Sequence, residues 1–226
     1  QSFTIAICIL LQQHRSSRAQ TYKYLGVMLT HNMQWSHHID YITSKALKKL
    51  GYLRPTSSKS PRSTKLLLYK TLIRPILEYA SCVWNPYKVG NVNKIESVRF
   101  IFHRYDHDFS PSYAMKSLKL SPLCARRDID SLKLLHSYVH SSCWLSNDKY
   151  IVYANALPTG RGHNLNVRPF FGRTNIFKYS FFPKIIVYWN ELPGLVREMN
   201  MSDFLEALDW HCCPLFFFFI YVPGCA

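Results

Sequence analysis

The sequence predicts a mainly α fold with a small β element at its start, and three observations carry that prediction. Apolar residues Ile39, Ile42, Ala46, Leu50 and Leu53 recur in steps of three and four, the stripe of an amphipathic helix. The dipeptides Ser60-Pro61 and Ser121-Pro122 each set a capping hydroxyl before a proline suited to the first helical position. Strand-like sequence is confined mainly to residues 2–11 and 22–29.

The first helix is expected over residues 36–54, with Ser36 as its N-cap. At about 100° per residue its five apolar side chains span an arc of roughly 80°, and Lys45, Lys48 and Lys49 project from the adjoining sector. Residues 55–60 read as a turn. The second helix follows Ser60-Pro61, and its apolar residues Leu66 to Tyr69, Leu72, Ile73, Ile76 and Leu77 nearly encircle it. It is therefore expected to be central and largely buried, with a kink or break at Arg74, because Pro75 has no N–H and disfavours helical geometry before it. Asn91 is expected to cap a third helix running to Tyr105, with Val92, Ile95, Val98 and Phe102 as its stripe. A short helix is expected from Ser110-Pro111, and a longer one from Ser121-Pro122 with Ile129, Leu132, Leu135 and Val139 facing inward. Residues 155–179, rich in Gly, Pro, Asn and Arg, read as loop with a short strand. A helix over 181–191 stops before Pro193, and Ser202 caps a last one toward Asp209. The resulting division is a β element over 1–35, a basic helical region over 36–110, a second helical region over 111–210 and a hydrophobic tail over 211–226.

With 226 residues and 48% hydrophobic content, the chain can bury a substantial core as one large domain or two small ones. Seven cysteines, Cys8, Cys82, Cys124, Cys143, Cys212, Cys213 and Cys225, lack the paired short spacings of a zinc site. Their odd number argues against a secreted disulfide framework, so reduced thiols and an intracellular location, cytoplasm or nucleus, are expected. The apolar run 3–11 has no basic leader or cleavage site, and 215–222 is far shorter than the roughly 20 residues that span a bilayer. No membrane partner is expected. The opening Gln1 and the closing Cys212-Cys213-Pro214-Leu215-Phe216-Phe217-Phe218-Phe219 suggest a fragment with a non-native, aggregation-prone tail.

Charge is the second informative property. The chain carries 28 Lys and Arg against 13 Asp and Glu, a net +15, and nine of those cations fall in the acid-free stretch 41–77. They are Lys45, Lys48, Lys49, Arg54, Lys59, Arg62, Lys65, Lys70 and Arg74, bounded by Asp40 and Glu78. A helical stretch with one packing face and a concentrated basic face suggests a polyanion, nucleic acid first among them. Tyr22, Tyr24 and Trp35 adjoin the block, and aromatic rings can stack on unpaired bases, although burial is their ordinary fate.

Catalytic and metal constellations are weak by comparison. Phosphoryl transfer needs clustered carboxylates to hold magnesium. Asp106 and Asp108 flank His107 as polar residues at a loop entry, and Asp128 and Asp130 are expected to form local ion pairs with Arg126 and Arg127. His136 and His140 stand one helical turn apart with Cys143 three residues on, a zinc-like spacing without a fourth ligand. His211, Cys212, Cys213 and Cys225 are weaker still, and Gly160-Arg161-Gly162-His163 reads as a turn with one cation. There is no phosphate loop, nucleophile elbow or Ser-His-Asp order, so no catalytic residue and no metal ligand is assigned.

The segments TYKYLGVMLTHNMQWSHHIDYITSKALKKLGYLR and LLLYKTLIRPILEYASCVWNPY resemble the region downstream of the polymerase active site in LINE-type non-LTR retrotransposon reverse transcriptases. Later pieces, SLKLSPLCARRDIDSLKLLH, GRGHNLNV and YSFFPKIIVYWNELP, agree with that family in order and spacing, so the likeness covers residues 22–208. The resemblance implies a helical thumb that contacts the backbone of an RNA–DNA or DNA duplex, preceded by a β element left over from the polymerase palm. It makes Tyr24, Leu25 and Gly26 candidates for contact near the primer terminus. The family's Phe/Tyr-Ala-Asp-Asp box and its earlier magnesium-binding Asp lie upstream of KYLG, and no Asp precedes Asp40. Mg2+ therefore belongs to the full-length enzyme rather than to this chain, whose upstream polymerase and endonuclease domains are missing partners. The expectation is duplex binding without polymerisation; the rival expectation is a structural or interaction remnant, or a pseudogene product with no selected activity.

Overall fold

In the computed structural model, residues 21–103, 121–140, 151–153 and 163–211 are described. They are mainly helical, with one two-stranded antiparallel sheet. The expected strand at 2–11, the helix at Ser110-Pro111, the Asp106/His107/Asp108 group, Cys143, Gly160 to Gly162 and the phenylalanine tail lie outside the described residues. Two units form: residues 21–81, 86–103 and 121–126 belong to the first, and residues 82–85, 127–140, 151–153 and 163–211 to the second. Among the described residues no helix is long and apolar enough to cross a membrane.

The first unit opens on a hairpin, β1 (Thr21–Tyr24) and β2 (Val27–Thr30), with Tyr22 opposite Leu29 and Tyr24 opposite Val27. One strand-like stretch thus becomes two strands because Leu25 and Gly26 both take positive φ, 45° and 86°, the requirement of a tight two-residue hairpin turn. Gly26 adopts this without penalty, whereas Leu25 is strained there. After the turn at residues 30–33, closed by a bond from the Met33 N–H to the Thr30 carbonyl at 2.9 Å, the chain enters α1 (Ser36–Thr56).

Helix α1 buries Ile39, Ile42, Ala46 and Leu50, as its period predicts, and packs on α5 (Val89–His103). Each large buried side chain contributes roughly 1.5–3 kcal/mol relative to exposure. Ser36 is not the cap: it is the first helical residue, and Trp35 precedes the helix without a side-chain cap bond. The Ser36 hydroxyl instead accepts from the Asn91 amide at 3.1 Å. Asn91 is likewise not a cap, since it sits inside α5, which begins at Val89. At the other end α1 runs through Pro55, with the Thr56 and Ser57 hydroxyls donating to the Tyr52 and Leu53 carbonyls at 2.8 and 2.7 Å.

The next helical stretch consists of α2 (Arg62–Leu68), a π turn (Tyr69–Ile73) and α3 (Arg74–Glu78). Pro61, rather than Ser60, precedes the helix, in extended geometry and without a side-chain cap bond. The expectation of a largely buried helix fails: α2 has no buried residue, Leu67 is 60% exposed, and only Tyr69, Ile73 and Leu77 are buried. A chain can bury only one face of a helix against a single layer, so the i, i+4, i+8 row is covered and the rest of the apolar ring is not. Pro75 acts without breaking the chain's helical path. The Arg74 N–H reaches back five residues to the Tyr69 carbonyl, and this wider turn relieves the contact a proline ring makes with the preceding turn. In α5, Val92, Ile95, Val98 and Phe102 are buried as expected, and the Phe102 ring stacks on Tyr69 at 4.5 Å.

A short helix, α4 (Ser81–Trp84), and the long α6 (Leu123–Val139) each have residues in both units. In the second unit α6 buries Leu132, Leu135 and Val139, with Ile129 partly buried. They pack with Phe182, Ile185, Ile186 and Trp189 of α8 (Phe181–Glu191), which stops before Pro193 as predicted. Three short helices escape sequence prediction: α4, and in the second unit α7 (Asn175–Lys178) and α9 (Gly194–Glu198). Around the expected loop, Tyr153 and Val167 form an isolated antiparallel bridge, and the Asn190 side chain serves Val167 as a backbone surrogate, accepting from its N–H at 3.0 Å and donating to its carbonyl at 2.7 Å. The last helix, α10 (Met201–His211), is capped by Asn200, whose Oδ1 accepts from the Asp203 N–H at 3.0 Å; Ser202 lies inside it.

Candidate nucleic-acid interface

The phase of α1 decides which cations face solvent. Its buried stripe fixes one side against the first unit, and at about 100° per residue Tyr41, Lys45, Lys48 and Tyr52 fall on a second stripe roughly 60° wide, centred about 130° from the first. Lys45, Lys48 and Lys49 are exposed, and none makes an ion pair or hydrogen bond among the described residues. Tyr52 is 74% exposed. Lys23, on β1, joins this face: its ammonium donates to the Tyr41 hydroxyl at 3.2 Å and lies 5.0 Å from that ring's centre. The hydrogen bond and charge of Lys23, with a smaller contribution from Lys45, lower the Tyr41 phenol below its ordinary pKa.

The nine cations of the acid-free stretch do not form one uniform face. Arg54, at the end of α1, and Lys59, in the following turn, are exposed; Arg62, Lys65, Lys70 and Arg74 are half-buried. Arg74 lies 3.6 Å from Glu78, which also receives Arg126 at 2.5 Å. Both acids bordering the block are therefore engaged by cations other than the α1 lysines, for Asp40 pairs with Lys94 at 2.7 Å. The exposed lysines of α1 keep an electropositive surface without a compensating carboxylate.

Tyr24, Leu25 and Gly26 sit at the end of the hairpin. The Tyr79 hydroxyl donates to the Leu25 carbonyl at 3.0 Å, and a Cβ on Gly26 would come within 3.4 Å of the Tyr79 ring. Tyr22 is 60% exposed and stacks on Tyr24 at 6.4 Å. Behind the hairpin, buried His38 of α1 accepts from the Met28 N–H at 3.1 Å through Nδ1. Burial, with a smaller contribution from His37, holds its pKa down at about 4, which keeps the imidazole neutral and able to accept.

The possible metal and magnesium donors are placed elsewhere. His136 and His140 direct Nε2 at the Met199 and Arg197 carbonyls, at 2.9 and 2.8 Å, so each Nε2 carries a proton and does not serve as a ligand. Asp128 pairs with Lys184 at 2.7 Å and accepts from Asn85, rather than from its helix neighbours Arg126 and Arg127; Asp130 does make a local pair, with Lys133 at 3.1 Å. Arg127 is buried, donating to Asn85 at 3.1 Å with its guanidinium 5.9 Å from the Trp84 ring. His163 of the glycine-rich turn pairs with Glu198 at 3.0 Å, over Gly194, where a Cβ would collide with the imidazole. Glu96 is taken by Arg99 at 2.8 Å and by the Cys124 N–H at 3.0 Å. Carboxylates engaged in this way do not fit a magnesium site, and among the described residues no group of three or more His, Cys, Asp or Glu is placed to hold a metal.

Sequence reasoning singles out the lysines but misses Tyr41, Tyr52 and Lys23. The signal for the tyrosines is present, since 41, 45, 48 and 52 repeat at i, i+4, i+7 and i+11. Lys23 needs the hairpin's placement beside α1. Comparison of the chain with protein-family models, curated proteins and solved structures finds no match in any of the three.

Proposed function

We propose that this chain is the downstream part of a non-LTR retrotransposon reverse transcriptase and that it holds the phosphate backbone of an RNA–DNA or DNA duplex. In this reading β1 and β2 are the last strands of a polymerase palm, with Tyr24, Leu25 and Gly26 toward the primer terminus, and α1 opens the thumb. The observation that carries it is the face of α1, where Lys45, Lys48 and Lys49 stand exposed while the nearby acids Asp40 and Glu78 are paired with other residues. The ordered motifs shared with the family support the same assignment.

Lysines without compensating acids on a rigid helix can replace counterions along a polyphosphate, which gives affinity without sequence readout. In this reading the chain positions a duplex and does not itself join nucleotides: the family's Phe/Tyr-Ala-Asp-Asp box is not among its residues, and Asp40, Glu78 and Asp128, paired with Lys94, Arg126 and Lys184, do not fit magnesium. The test is binding of a labelled primed duplex across a salt series. Reversing charge in Lys45→Glu, Lys48→Glu and Lys49→Glu together is expected to weaken binding and to flatten the log–log salt slope by about 0.9 for each phosphate no longer neutralised. Salt-insensitive binding by the intact chain, or an unchanged slope in the triple variant, would overturn the reading. Primer extension by the intact chain with magnesium and nucleotides would overturn its non-catalytic part.

A further inference from the structure

We infer that α1 also holds an unpaired nucleobase, stacked on Tyr52, while the phosphates of the same strand lie on Lys45, Lys48 and Lys49. The proposed ligand is a nucleic acid with a single-stranded segment, and the inference rests on the backbone-binding reading above. Its starting point is the contrast between Tyr52 and the other aromatic residues near cations. Tyr41 is occupied by Lys23, Tyr188 has the Lys184 ammonium 5.4 Å from its centre, and Trp84 has Arg127 at 5.9 Å. Tyr22, the other highly exposed tyrosine of the first unit's hairpin and α1, is stacked on Tyr24.

Tyr52 is different. It is three and four residues from Lys49 and Lys48, within the reach of helical neighbours, yet its ring has no cation or ring contact among the described residues and is 74% exposed. The cations beside it are likewise without ion pairs among those residues. A row in which the Tyr52 ring and the neighbouring ammonium groups both remain open to solvent suits a ligand that presents bases and phosphates side by side. A blunt duplex offers phosphates to the lysines but hides its base faces in the stack, so it gives the ring nothing to cover. An unpaired base does expose that face, and aromatic stacking accepts any base. The span from Tyr41 to Tyr52 is about 16 Å at 1.5 Å per residue, long enough for several contacts along one strand.

The experiment uses the intact chain with two labelled probes, oligothymidylate and a blunt duplex of the same length, over a salt series. Tyr52→Ala is expected to weaken oligothymidylate binding about 5- to 150-fold, to leave blunt-duplex binding within about twofold and to leave the salt slope unchanged. Tyr52→Phe retains the ring and is expected to behave like the parent chain. Equal losses on both probes, no loss on oligothymidylate, or a Phe variant as weak as the Ala variant would each overturn the stacking inference while leaving backbone binding intact. Failure of the parent chain to bind either probe overturns both readings. Polyglutamate competing as strongly as oligothymidylate would reassign the face to an acidic protein partner. Because Tyr52 is exposed, far-ultraviolet circular dichroism of the variants is expected to match the parent chain.

Discussion

The two units differ in where they keep their exposed cations. In the second, His136, His140 and Trp189 bond to carbonyls, His163 closes on Glu198, Asn190 on Val167, Arg197 on Asn166 and Lys184 on Asp128. In the first, Lys45, Lys48, Lys49 and Lys59 stand in solvent, while Asp40, Glu78 and Glu96 are matched to Lys94, Arg126 and Arg99. The excess charge of the first unit is thus more than a shortage of acids. Those present are paired with cations other than the α1 lysines. The second unit pairs the groups named above within itself and leaves Arg168 and Arg173 exposed on its loop, whereas the first leaves its exposed lysines along one regular helix.

The largest expected effect breaks the second unit. Trp189 is fully buried among Ile185, Ile186 and Phe204, and its indole N–H donates to the Leu165 carbonyl at 2.9 Å. Trp189→Ala removes the ring and orphans that carbonyl, with an expected loss of about 3–5 kcal/mol in urea unfolding. In the first unit, Lys45→Gln with Lys48→Gln is expected to change stability by no more than about 0.5 kcal/mol per site. A Trp189→Ala cost below about 1 kcal/mol, or a large cost at the lysines, would erase the distinction between a side chain that holds its unit together and lysines that do not.

The contrast is partly legible in the sequence. Stripes such as Val92, Ile95, Val98, Phe102 and Leu132, Leu135, Val139 predict the buried faces, because burial of one helix face is a local consequence of period. Caps are less legible. Ser36, Ser60 and Ser202 are plausible cap residues, but a cap depends on backbone geometry and on rivals such as Asn200, which a residue type alone does not reveal. Helices α7 and α9 are four and five residues long, too short to establish a period. At the candidate site, the lysines are legible as a charge excess. Which of them protrude is not, because the partial burial of Arg62, Lys65, Lys70 and Arg74 and the pairing of Glu78 with distant Arg126 depend on tertiary packing.

A medium effect tests how the hairpin of the first unit is joined to α1. His38 has a folded pKa of about 4 against an unfolded value near 6.5, so its neutral form is favoured by folding. Its contribution to stability is fully present above pH 6.5 and is lost as the pH falls toward 4, amounting to about 3 kcal/mol. His136, whose pKa burial also lowers, acts in the same direction in the second unit. His38→Asn retains an acceptor for the Met28 N–H without titrating, and its stability is expected to fall less steeply with acid than that of the parent chain. Identical pH profiles for the two would remove His38 as the link between β2 and α1.

The smallest effect concerns Leu25, where a branched side chain holds φ at 45° in a turn that favours Asn followed by Gly. The left-handed region costs such a residue roughly 1–2 kcal/mol, and Asn occupies it more easily. The Tyr79 bond to the turn uses the Leu25 carbonyl, so Leu25→Asn leaves it in place. Leu25→Asn is therefore expected to raise stability by about 0.5–1 kcal/mol in urea unfolding; a fall in stability would mean that the Leu25 side chain packs more than its exposure indicates. Primed-duplex binding by this stabler variant then separates two forms of the comparison. Unchanged affinity confines the grip to α1. Weaker affinity despite the stabler hairpin assigns the strained turn to the same face, its local instability retained for contact with the ligand.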